Sequence, residues 1–202
     1  MTLLFLGYNK NRIIDFLRNR EERVVFEDKK LNLRELQKIN PNYIISYGYR
    51  HIITPDIIKE YPEIVNLHIA YLPWNRGVNP CFWSLLENTP PGYTLHYIDE
   101  GIDTGDVLIQ DKMKFKRDET IGRIYEQLKQ GIEDLFIDSW QKIAGGKIAP
   151  KQQAHKGTYH EHKDLEPYKF LLDDELEKGA ASAKRISKYG REHNLWFFDE
   201  KG

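Results

Sequence analysis

Two polar side chains close an otherwise apolar run. In "EIVNLH" the run ends on Asn66 and His68, two residues apart, so on a strand both point to one face. Further along, the loop "DEGIDTGD" carries Asp99, Glu100, Asp103 and Asp106. An imidazole gives or takes a proton near neutral pH. A neighbouring carboxylate orients it. An amide N–H donates to an oxygen that gains negative charge in a tetrahedral transition state. Together these groups suit acyl transfer without an enzyme nucleophile, with catalysis resting on positioning and electrostatics. The chain has no G-x-S-x-G turn, and Cys81 falls in the middle of a helical stretch, so neither offers a nucleophile. Taken singly, each residue has an ordinary explanation. A strand-end Asn or His caps or bonds the backbone, and an Asp in a Gly-rich loop makes a turn.

The elements that must position these groups follow from periodicity. "TLLFLGY" is a continuous apolar run ending at Gly7, as in a buried parallel strand. "NRIIDFLRNR" has helical spacing, "ERVVFED" reads as a strand, and "LNLRELQKIN" as a short helix stopped before Pro41. "NYIISYGY" is a third strand. "TPDIIKEY" opens a helix with Thr54 as N-cap, Pro55 at the first helical position and Asp56 in the first turn. "EIVNLH" is the fourth strand. The alternation implies βαβ units and an α/β fold with a doubly wound, mostly parallel, Rossmann-like sheet. Ligands on such sheets bind beyond the carboxyl ends of the strands, where Asn66 and His68 lie.

The pattern then changes. "NPCFWSLLEN" is a helix candidate, and strands over roughly 92–99 and 105–115 flank the acidic loop with no helix between them, so this side of the sheet is mixed. A long helix is expected from Asp118 to Ala144, with its apolar stripe at 3–4 spacing and Gly145-Gly146 as its stop. Residues 1–150 therefore read as a catalytic domain. Residues 151–202 read as a C-terminal extension, with a helix candidate over 173–190 and a closing cluster Leu195, Trp196, Phe197 and Phe198.

Bulk properties exclude several classes. At 202 residues and a formal net charge of −1 the chain gives no electrostatic case for nucleic acid. One cysteine rules out an internal disulfide and fits a reducing, cytoplasmic setting. The N-terminal apolar run is too short for a signal segment or a membrane span. His155, His160 and His162 match no standard ligand spacing, so no metal is expected. The first turn lacks G-x-G-x-x-G, which argues against a nicotinamide cofactor.

"NLHIAYLPWNRG" followed by "GYTLHYIDEGIDTGDVLIQ" resembles the formyltransferases that use 10-formyltetrahydrofolate. The resemblance covers roughly residues 1–150, and its three separated elements stand in order at the family's distances. It implies Asn66, His68 and Asp103 as the catalytic trio. A substrate amine would attack the formyl carbon, Asn66 and His68 would stabilise the oxyanion, and Asp103 would support His68 in proton transfer. It further implies a folate pocket, much of it backbone, around Tyr49, His51 and Ile53 and from Tyr97 to Asp103, with Asp99 among its residues.

The amine is read from the remaining motifs. "GYNKN", Gly7 to Asn11, replaces the small phosphate-cradling turn of glycinamide ribonucleotide transformylases. Asn9 and Lys10 remain as substrate contacts, the lysine as a point charge for phosphate. Only about fifty residues follow the catalytic region, too few for the second domain of methionyl-tRNA formyltransferases. "LPWN", "P-x-FWS" and "IDE-x-x-DTGD" resemble a short subgroup of sugar-nucleotide N-formyltransferases of the pseudaminic-acid type, and formylation domains of peptide synthetases. The expected substrate is a UDP-linked 4-amino-4,6-dideoxy sugar, with Trp74 and Arg76 beside the amine. Methionyl-tRNA, glycinamide ribonucleotide and a carrier-bound aminoacyl group stay open as other acceptors, as does a catalytically silent binding relative. The terminal "LWFF" cluster leaves a homodimer open.

Overall fold

The structure is a computed structural model, and it describes every residue except 21, 117, 154–155, 173–180 and 199–202. His155 and the first eight residues of the helix expected over 173–190 lie outside the described residues. The chain divides into two compact units, and the divide falls within two strands and the long helix.

The first unit comprises residues 1–68, 94–109 and 132–153. It begins with β1 (Thr2–Gly7), α1 (Arg12–Asn19), β2 (Arg23–Glu27), α2 (Leu33–Ile39), β3 (Tyr43–Tyr47), α3 (Pro55–Glu60) and β4 (Val65–His68). With β6 (Gly92–Tyr97) and β7 (Val107–Lys112) these strands form a sheet in the order β2-β1-β3-β4-β6-β7. The first three pairings are parallel and β4 runs antiparallel to β6, so the expected mixed α/β sheet is there. Leu3, Leu4, Phe5 and Leu6 are all fully buried, which is why β1 lacks alternation: both of its faces are covered. Leu4 and Leu6 face Leu36, Ile53 and Ile57 in one apolar cluster.

Local chemistry sets the connections. Asn11 caps α1, its Oδ1 accepting from Ile14 N at 3.0 Å. Asn40 ends α2 in the left-handed region at φ 47°, as the Pro that follows forbids further helix. Thr54 is extended before α3, but its side chain makes no capping bond.

The second unit comprises residues 69–93, 110–131 and 154–202, so the residues after 153 group with two earlier segments. Its helix α4 (Pro80–Leu86) is buried at every position. It packs with α6 (Ala183–Glu192), where Gly190 lies against the Leu86 carbonyl in a space that a Cβ would fill. Short strands β5 (Arg76–Gly77) and β8 (Tyr159–His160) pair in parallel. His160 stacks on Trp83 with ring centroids 3.9 Å apart and lies 3.2 Å from Glu87.

The long helix, α5 (Ile121–Ala144), starts three residues later than expected. The preceding backbone is used elsewhere: Thr120 bridges Ser182, and Ala183 N donates to Glu119 O at 3.1 Å. Likewise β6 stops at Tyr97 and β7 at Lys112, short of the expected 99 and 115. No helix of the described residues is long and apolar enough to cross a membrane.

Candidate active site

Strand register brings the polar groups together. On β4, Asn66 lies opposite His96 of β6, and His68 lies opposite Thr94. Directly opposed residues share a face of the sheet, so an imidazole that the motif reading passed over stands beside the amide. His96 is almost fully buried, at 1% exposure. The loop after β6 then returns Asp103 to the same place. Its ends are tied by Ile98 N to Ile64 O and Tyr97 N to Asp106 O, both 2.9 Å. Gly105 packs against the Tyr97 carbonyl where any side chain would collide, and Asp103 itself takes left-handed backbone at φ 53°, a region Asp tolerates better than most residues.

The hydrogen bonds assign the polarity of the cluster. His96 Nδ1 is 2.7 Å from the Tyr97 carbonyl. A carbonyl only accepts, so Nδ1 carries the proton. In the neutral ring Nε2 is then an acceptor, and Asn66 Nδ2 reaches it at 3.1 Å. The other Nδ2 hydrogen points to Asp103 Oδ1 at 3.3 Å. The amide is thereby oriented with nitrogen toward His96 and Asp103. Asp103 Oδ2 stands 3.5 Å from His68 Nδ1, and its Oδ1 is 3.5 Å from His96 Nε2. Those two separations are long for hydrogen bonds, and with His96 neutral its Nε2 and Asp103 Oδ1 are two acceptors that share the Asn66 amide as donor. Side-chain exposure of 10% for His68 and 13% for Asp103 keeps solvent screening low and still leaves each group a reachable edge.

This geometry can hold an imidazole in one orientation, accept a proton on it beside a carboxylate, and offer an amide N–H to a growing negative charge. The Asn66 contact to Asp103 is the longer of its two bonds and is the one that can be exchanged. His96 keeps the other and fixes which end of the amide faces Asp103.

The remaining expected residues are distributed differently. Tyr49 donates from its hydroxyl to Lys29 O at 2.7 Å and accepts from Leu31 N at 2.9 Å, and partial burial raises its pKa. His51 is exposed, edge-on to Tyr49 at 5.3 Å. The Ile53 side chain is buried among Leu36 and Ile57, which leaves its backbone for any ligand. Its neighbour Ile52 is 74% exposed and leaves an apolar side chain uncovered. Asp99 Oδ1 accepts from Gly101 N at 3.1 Å and Thr104 Oγ1 at 2.6 Å, so it shapes the loop. Asn9 and Lys10 are exposed in the bend after β1. Trp74 and Arg76 belong to the second unit. The Trp74 ring meets Phe197 and Phe198 at 5.6 and 5.2 Å, and Arg76 donates to the Lys156 carbonyl at 3.1 Å. Among the described residues no group of three or more His, Cys, Asp or Glu side chains could hold a metal ion.

A mixed α/β sheet with an amide, imidazole and carboxylate gathered at a strand end suits acyl-type group transfer. Comparison with known proteins names the class. Residues 12–139 match the model of the formyl transferase family, and the chain belongs to that family. It is similar to the formyltransferase PseJ from Anoxybacillus kamchatkensis, whose crystal structure is a complex with UDP-4,6-dideoxy-4-formamido-L-AltNAc and tetrahydrofolate. That match has 40% identity and a TM-score of 0.88, covering 94% of this chain and 100% of the other. A 4-N formyltransferase from Francisella tularensis shares the fold at 19% identity, with a TM-score of 0.74 over 93% of this chain and 86% of its own. The methionyl-tRNA formyltransferase of Clostridium acetobutylicum is 30% identical over 66% of this chain and 46% of its own length. The chain thus spans about half the length of the methionyl-tRNA formyltransferases it matches.

Proposed function

We propose that this chain transfers the formyl group of 10-formyltetrahydrofolate to the primary amine of a nucleotide-linked amino sugar, in the cytoplasm. The observation that carries the reading is the Asn66–His68–Asp103 cluster in a chain 40% identical to PseJ along nearly its whole length. The amine class follows from that relative, and a UDP-linked 4-amino-4,6-dideoxy sugar is the specific acceptor we favour. Ile52 and Ile102 are exposed apolar side chains of the first unit, at 74% and 42%. They sit in the two segments expected to receive the folate and suit its flat ring.

The folate supplies the formyl group, and a C–N bond to the amine forms as the bond to the folate nitrogen breaks. Asn66 turns one Nδ2 hydrogen from Asp103 to the formyl oxygen as that oxygen gains charge. His68 relays the proton that the amine loses to the leaving folate nitrogen. Asp103, 3.5 Å from the ring, orients His68 and favours its charged form while the proton is in transit. No covalent enzyme intermediate is needed.

The test is purified protein with 10-formyltetrahydrofolate against a panel of nucleotide-linked amino sugars, methionyl-tRNA, glycinamide ribonucleotide and an aminoacyl carrier. Mass spectrometry reads the gain of one formyl group. Transfer to the sugars is expected. Transfer to methionyl-tRNA alone would reassign the substrate. His68→Ala should lose turnover with its fold intact by circular dichroism, and a folded, fully active variant would remove His68 from the mechanism.

A further inference from the structure

Asp103 holds its carboxylate on His68 and Asn66 from a loop whose backbone is in the left-handed region. Something must fix that loop. Asp99 ties its first half through Gly101 N and Thr104 Oγ1. The second half is held from outside. Gln153 donates from Nε2 to the carbonyl of Asp103 at 2.9 Å and to the carbonyl of Gly105 at 2.8 Å. One amide nitrogen thus uses both hydrogens on the two carbonyls that flank Thr104. The opposite orientation would set the Gln153 oxygen against two other acceptors, so the assignment of the amide is unambiguous.

Gln153 is itself on a firm footing. Two residues earlier Lys151 exchanges a pair of backbone bonds with Val107, each 2.8 Å. Val107 begins β7, the strand into which the loop runs. The amide therefore reaches back across a short closed frame, from strand edge to loop, and all of it lies within the first unit. Both bonds end on backbone atoms of the residue whose side chain serves the site and of a residue two positions on. A shift of the Asp103 carbonyl rotates the Cα–Cβ direction and moves the carboxylate with it.

We infer that Gln153 is a positioning residue for formyl transfer: it clamps the Asp103–Gly105 backbone and so sets the carboxylate against His68 and Asn66. The inference rests on the proposed function only for its kinetic readout. Without the clamp, Asp103 has several backbone states open to it. Misplacement of a catalytic group by about 1 Å costs on the order of 100-fold in rate, so the effect falls on kcat and much less on KM for the amine.

The experiment compares Gln153→Leu, Gln153→Glu, Asp103→Ala and the double variant Gln153→Leu/Asp103→Ala. The first readout needs no substrate: the side-chain NH2 signals of Asn66 in a 15N–1H spectrum, which report its bond to Asp103. In Gln153→Leu they are expected to move toward their position in Asp103→Ala. The second is turnover, where Gln153→Leu should lose ~10- to 100-fold in kcat. The double variant should be no slower than Asp103→Ala alone, the non-additivity expected when one residue acts through the other. Gln153→Glu keeps the size but faces two carbonyls with acceptors, and it should be at least as slow as Gln153→Leu. Unmoved Asn66 signals overturn the inference whether or not the wild type formylates a sugar. So do additive rate losses, or a lowered unfolding midpoint with unchanged kcat. A wild type inactive on every amine condemns the function reading alone, because the Asn66 signals still decide the clamp.

Discussion

Asn66→Asp keeps the size and shape of the side chain and changes only charge and donor capacity, so its consequences can be worked from two distances. Nδ2 of Asn66 lies 3.3 Å from Asp103 Oδ1. A carboxylate oxygen there would repel Asp103 by roughly 5 kcal/mol at an effective dielectric of about 20, an upper figure before relaxation. Two carboxylates so placed do not both stay ionised: the folded variant retains a proton that the unfolded chain releases at neutral pH. That proton sits on one carboxyl or on His96 Nε2, 3.1 Å away, and the linkage is the same in either case. The folded state then binds more protons than the unfolded state. Stability relative to wild type should therefore climb as pH falls from 7 to 5, by up to about 1.4 kcal/mol per pH unit, and be lost as pH rises. Urea unfolding of both proteins across that range measures the difference. At neutral pH the midpoint temperature should also drop, by roughly 2–4 °C per kcal/mol. Turnover should fall ~100- to 1000-fold, the usual effect of removing one oxyanion donor. Parallel pH–stability curves for the two proteins would refute the reasoning, because they would mean that position 66 does not sit on Asp103.

Two further outcomes follow from other parts of the molecule. Cys81 is buried and its thiol is pushed up to about 12 by that burial, so iodoacetamide at pH 8 should label it only after denaturation. The same burial disfavours the thiolate in the folded state, so the fold loses stability as pH rises from the ordinary thiol range toward 12, and Cys81→Ala should lose stability less steeply than wild type over that window. Tyr49→Phe removes an acceptor from Leu31 N and a donor to Lys29 O. With one bond exposed and the other part-buried, it should cost about 0.5–1.5 kcal/mol by urea unfolding, and an unchanged midpoint would mean that water replaces both bonds.

What was legible in the sequence depended on whether the information was local. Asn66 and His68 could be paired from the period of a strand, and the acidic loop declared itself by its glycines. The parallel half of the sheet followed from apolar runs alternating with capped helices. His96 was missed because a lone histidine in "YTLHYI" carries no local mark. Its role comes from the antiparallel register that sets it opposite Asn66, and register between strands thirty residues apart is a property of the folded chain. Gln153 was hidden in the same way, in a polar stretch read as the start of an extension, where nothing nearby hints that its amide reaches Asp103. The opposite burial of Ile52 and Ile53 has a different origin. In "HIIT" neither helix nor strand period sets the phase, so which isoleucine enters the core and which is left outside is decided by the packing of Leu36 and Ile57. Asn66, His68 and Asp103 thus stand in motifs that are marked locally, although Asp103 is 37 residues from Asn66, whereas His96 and Gln153 carry no such mark and are found only through the fold. Mutagenesis aimed only at Asn66, His68 and Asp103 would test the proposed chemistry and leave unmeasured the frame that His96 and Gln153 are inferred to provide.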